Sequence, residues 1–95
     1  MKNYEIMFIV RPTLGEEEIK EVVKNFENIL VTNGGKITNF KEYGKRDLAY
    51  EINNFKSGYY FLFNVETKNS KAVDEFNRLS LISKEIIRHL ITNIE

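Results

Sequence analysis

Two stretches of this 95-residue chain are apolar at almost every position, and they constrain its fold more than any other feature. The first, Tyr4-Glu5-Ile6-Met7-Phe8-Ile9-Val10, is β-branched and aromatic and stops at Arg11-Pro12. The second, Tyr59-Tyr60-Phe61-Leu62-Phe63-Asn64-Val65, has the same character. Runs of this length and composition read as strands with apolar surroundings on both faces. Two other segments have a helical period. Ile19, Val22, Val23, Phe26, Ile29 and Leu30 recur behind Glu16, Glu17 and Glu18, where the positive end of a helix favours acids. Thr13-Leu14-Gly15-Glu16 has the spacing of a capping box, and Asn33-Gly34-Gly35 supplies a left-handed stop. Ala72, Val73, Phe76 and Leu79 mark a second helix, which Asn69 or Ser70 can cap.

From Lys36 to Ile52 the chain is polar but extended, with Ile37, Phe40, Tyr43, Leu48, Tyr50 and Ile52 spaced by charges. Its lysines suit an edge strand, and Gly44 predicts a bulge or bend. Asn53-Asn54-Phe55-Lys56-Ser57-Gly58 is turn chemistry, and Ile86 to Ile94 is apolar and β-branched enough for a last strand. The order is β-α-β-β-α-β. Right-handed crossovers place both helices on one face of a four-stranded antiparallel sheet, a ferredoxin-like α+β fold with the first and third strands central. The two most continuous apolar runs are the strands that this topology buries. A single domain over residues 1–95 is expected.

Composition narrows the chemistry. The chain has no cysteine, so disulfides, thiolate metal sites and cysteine nucleophiles are excluded. No apolar run reaches the roughly 18 residues that span a membrane. Glu5 stands where a signal peptide would be apolar, so a cytoplasmic protein is expected. Fourteen basic and fourteen acidic side chains cancel, leaving no overall field to steer a polyanion. No catalytic constellation stands out. His89 lies in an apolar strand, where a structural imidazole is expected. Arg11-Pro12-Thr13-Leu14-Gly15 is a poor substitute for the phosphate loop of a small acyl-phosphate hydrolase. Nothing in the composition or the spacing marks a catalytic, cofactor, metal or small-molecule site.

Strand parity then divides the side chains. Tyr59, Phe61, Phe63 and Val65 form a wholly apolar set and should face the helices with Ile6, Phe8 and Val10. That leaves Met7, Ile9, Tyr60 and Leu62, with Leu90 and Arg88 beside them, on the face that no helix covers. Two helices cannot bury this patch, which reads as a partner-protein surface or as tolerated exposure. Lys56-Ser57-Gly58-Tyr59-Tyr60-Phe61-Leu62 loosely echoes the RNP1 pattern, but its stacking aromatics would point into the core. Lys41, Lys45 and Arg46 cluster around Gly44, with Arg11 and Arg88 also near the sheet. Such a cluster suits phosphate contacts and suits a solvated edge strand equally. A free-standing regulatory domain of the same topology is a competing reading.

Tyr4-Glu5, Gly44-Lys45-Arg46-Asp47-Leu48-Ala49-Tyr50-Glu51-Ile52, Gly58-Tyr59 and Ile87-Arg88-His89-Leu90 resemble, in order and spacing, the bacterial small-subunit ribosomal protein six family. The resemblance covers essentially the whole chain. It implies a ferredoxin-like, non-catalytic protein that assembles into the small ribosomal subunit. Its implied partners are the central domain of small-subunit ribosomal RNA and small-subunit ribosomal protein eighteen. Lys2, Tyr4, Lys41, Lys45, Arg46 and Arg88 are then the expected RNA contacts, and Met7, Ile9, Tyr60, Leu62 and Leu90 the expected protein contacts. Glu51, Asp47 and Asn93 depart from the family's usual proline, basic or polar residues and lower the local positive potential.

Overall fold

The computed structural model describes residues 2–52 and 54–94. The elements are β1 (Lys2–Val10), α1 (Glu16–Thr32), β2 (Lys36–Ile52), β3 (Phe55–Thr67), α2 (Lys71–Ile82) and β4 (Ile86–Asn93). The strands form one sheet in the order β2-β3-β1-β4, and every neighbouring pair is antiparallel. The two apolar runs are the central strands, as their pattern predicts. Ile6, Phe8, Val10, Phe61, Phe63 and Val65 pack in one buried cluster with Ile19, Val22, Phe26 and Leu30 of α1 and Ala72, Val73 and Phe76 of α2. The helix face is therefore the face that parity selects. Phe8 is the hub: its ring lies 5.4 Å from Phe61, 5.5 Å from Phe63, 5.8 Å from Phe76 and 6.3 Å from Phe26. Pairs at these separations add about 0.5–1.5 kcal/mol each beyond their burial.

The ends of the helices follow the sequence only in part. At the end of α1 the amide of Gly34 donates to Val31 and that of Gly35 to Leu30, while Gly34 takes φ +93°. This is a Schellman stop, and only glycine enters that left-handed position freely. The start of α1 is a correction. The residue in the N-cap position is Gly15, not Thr13, and no side chain caps the helix. The Thr13 hydroxyl instead accepts from Arg11 Nε at 2.8 Å, so the capping box never closes. In α2 Ser70 holds the cap position, but Asn69 Oδ1 receives the Lys71 amide at 2.9 Å.

β3 begins at Phe55, four residues before the apolar run. Gly58 and Ser57, read above as turn, pair with Arg46 and Asp47, which extends the β2–β3 hairpin past the end of β1. β2 carries the predicted irregularity: its register slips between Glu42 and Gly44, and Gly44 has φ +79°. Tyr43 is the extra residue of this bulge.

Candidate protein and nucleic-acid interface

Directly opposed residues of an antiparallel sheet share a face, so the register lays the candidates out in rows. One row on the helix-free face reads Lys41, Leu62, Met7, Leu90 from β2 to β4. The next reads Gly44, Tyr60, Ile9, Arg88. The row on the other side of Leu62 is polar, with Asn39, Asn64, Glu5 and Thr92. The five expected protein contacts thus share one face, with Lys41 at one edge and Arg88 at the other.

The expectation that the chain leaves this face uncovered fails at two of them. Ile9 is 7% exposed and Leu62 is 6% exposed, whereas Met7 and Tyr60 are half-buried and Leu90 is 60% exposed. Leu62 sits in a central strand, flanked in its row by Lys41 and Met7, and such neighbours shield a side chain without a helix. Ile9 has a second cover. Between the pairs Asp47 with Ser57 and Ile52 with Phe55, five residue steps of β2 face two of β3. The surplus bows out, and Leu48, Ala49, Tyr50 and Ile52 enclose a hollow of about 250 Å³ against Met7, Ile9, Tyr60 and Leu90. We call residues 48–52 the strap. Tyr50 Oη lies 3.3 Å from Arg88 Nη1, which donates to it. Sequence reading missed this contact; the only local signal is a strand too long for its partner.

The basic candidates do not form one patch. Arg46 opposes Gly58, which places it with Lys41 and Arg88 on the helix-free face. Lys45 opposes Tyr59, on the helix side. Lys2 and Tyr4 also have helix-side parity, and Tyr4 packs half-buried against the core. They stand at the opposite end of β1 from Ile9, about 20 Å away at strand rise. Arg46 is exposed and lies over the Tyr43 ring at 5.8 Å, a cation–π contact that leaves most of its donors free. Arg11 is engaged by Thr13 and stacks over Phe55 at 5.2 Å.

His89 behaves as a structural residue. It opposes Phe8, donates from Nε2 to Asn77 Oδ1 at 2.7 Å and meets the Phe76 ring edge-on at 6.1 Å. Burial lowers its pKa by penalising the imidazolium. Among the described residues no three His, Asp or Glu side chains converge as a metal site, and no helix is long and apolar enough to cross a membrane. A second hollow of about 530 Å³ opens on the helix side between α1 and the β2–β3 half of the sheet, with Val23 of α1 on one wall and Phe40, Tyr59 and Phe61 on the other.

Comparison with known proteins bears on the family and the fold. The family model described as Ribosomal protein S6 matches residues 3–93. The chain is similar in structure to the 30S ribosomal protein S6 of Thermotoga maritima, at 30% identity and a TM-score of 0.89, over 97% of this chain and 86% of that one. An Arabidopsis thaliana protein with 14% identity and a TM-score of 0.56, aligned over 100% of this chain and 94% of its own, shares the fold alone. A family match across nearly the whole chain, joined to that close structural likeness, places the chain in the ribosomal protein S6 family, a structural and non-enzymatic component of the small ribosomal subunit.

Proposed function

We propose that the chain binds the central domain of small-subunit ribosomal RNA together with small-subunit ribosomal protein eighteen, in the cytoplasm. The observation that carries this reading is the helix-free face: an apolar centre of Met7, Tyr60 and exposed Leu90, with Lys41 and Arg46 on one side and Arg88 on the other. The apolar centre suits a protein, and the flanking cations suit phosphates. A neutral chain makes few phosphate contacts, so a partner must supply much of the affinity.

Geometry sharpens the RNA side of the proposal. Lys41 and Arg46 share the face of the protein contacts, and Lys45 does not. Replacing Lys41 and Arg46 together by alanine is expected to leave the fold intact, because both are exposed. It should also flatten the salt dependence of RNA binding in the presence of protein eighteen by about 2 in slope, roughly 1 per lost phosphate contact. Lys45→Ala should leave the slope unchanged. Equilibrium binding across a salt series measures both. An unchanged slope in the double variant would return Lys41 and Arg46 to solvent and remove the RNA half of the proposal.

A further inference from the structure

Tyr50 and Arg88 belong to opposite edges of the sheet, with both central strands between them. Three strand spacings separate those edges, about 14 Å. The hydrogen bond between the two side chains, and the hollow that strap residues line together with Met7, Ile9, Tyr60 and Leu90, put the strap against the helix-free face. The strap is lightly built. Tyr50 is 66% exposed, Ala49 and Glu51 are exposed, and the β2–β3 pairing resumes only at Ile52. Segments with few buried contacts open at a small fraction of the global unfolding free energy.

We infer that residues 48–52 form a gate over the apolar hollow of the helix-free face, and that the Tyr50–Arg88 hydrogen bond is its latch. Closed, the gate shields Ile9 and holds the Arg88 guanidinium against the tyrosine. Open, it exposes Met7, Ile9 and Tyr60 and frees Arg88 toward solvent. Arg88 is thus a positioning residue in the free chain. The gate lies over the surface proposed above for protein eighteen, but it is a property of the chain alone and its test needs no partner.

Hydrogen exchange on the native chain, Tyr50→Phe, Arg88→Met and the double variant tests the latch. Tyr50→Phe keeps the ring and removes only the hydroxyl. Each single variant should speed exchange of the strap amides about 2- to 12-fold, the factor for one hydrogen bond of ordinary net strength. The double variant should match either single, because both remove the same bond. Amides of Ile6, Phe8, Phe61 and Phe63 should keep native protection. The neutral apolar dye N-phenyl-1-naphthylamine should bind Tyr50→Phe more tightly by a similar factor, since the hollow opens more often. Unchanged strap exchange in Tyr50→Phe, multiplied effects in the double variant, strap and core amides moving together, or no gain in dye binding would each overturn the gate.

Discussion

Phe61→Glu is expected to leave no folded population, whereas Leu62→Glu should lose about 2–4 kcal/mol and still fold. The two positions are adjacent and almost equally buried, at 3% and 6% exposure. What differs is the cover. Phe61 lies in the helix-side cluster, its ring 5.4 Å from Phe8 and 6.0 Å from Phe40. A carboxylate there forfeits the packing of the ring against Phe8 and Phe40, and although the hollow beside α1 opens next to it, its partial desolvation costs several kcal/mol on top of the lost ring. Total stability for a chain of this size is only about 5–14 kcal/mol. Leu62 is shielded by neighbours in its own sheet, and no helix lies over it. A glutamate there can extend past them, with Lys41 in the same row. Thermal melting followed by circular dichroism reads the pair. A folded Phe61→Glu beside an unfolded Leu62→Glu would invert the parity and move the interface to the other face.

Phe8→Ala should cost about 3–5 kcal/mol, the usual toll of emptying a buried aromatic site. Phe8 is fully buried and meets the rings of Phe26, Phe61, Phe63 and Phe76, so elements on both sides of the cavity must collapse to fill it. At about 4–8 °C per kcal/mol for a domain of this length, Tm should fall by at least about 12 °C. Leu90→Ala, at an exposed edge position of the same sheet, should stay within about 0.5 kcal/mol of the native chain. A fall below about 5 °C for Phe8→Ala would mean that the ring cluster is not the centre of the core.

The fold was legible because its largest signals are local and repeated. Two apolar runs, two helical periods and one alternation of faces specify which strands are central and which residues the helices cover. The failures come from events that alternation cannot see. Simple period-2 counting puts Lys41 with Lys45 and leaves Arg46 opposite them; the bulge at Tyr43 reverses that, grouping Lys41 with Arg46. Parity placed Ile9 on the helix-free face correctly, but it carries no information about a distant segment returning across that face. Thr13 had the spacing of a cap, yet Arg11 competes for its hydroxyl. Phe55-Lys56-Ser57-Gly58 has turn composition and still pairs, because β2 offers a partner edge. The composition of the candidate interface was visible in the sequence; its shape depends on residues far apart in the chain.

The account rests on a neutral chain that gains its RNA affinity through a protein partner. Equilibrium binding of the native chain to central-domain RNA, at moderate salt, with and without protein eighteen, tests it most directly. Alone, the chain should bind weakly and lose affinity steeply as salt rises, because only a few phosphate contacts are available. With protein eighteen present, binding should become specific and about 5- to 150-fold tighter, the usual range of coupling between two sites. Tight binding without the partner, or an affinity that protein eighteen does not change, would contradict it.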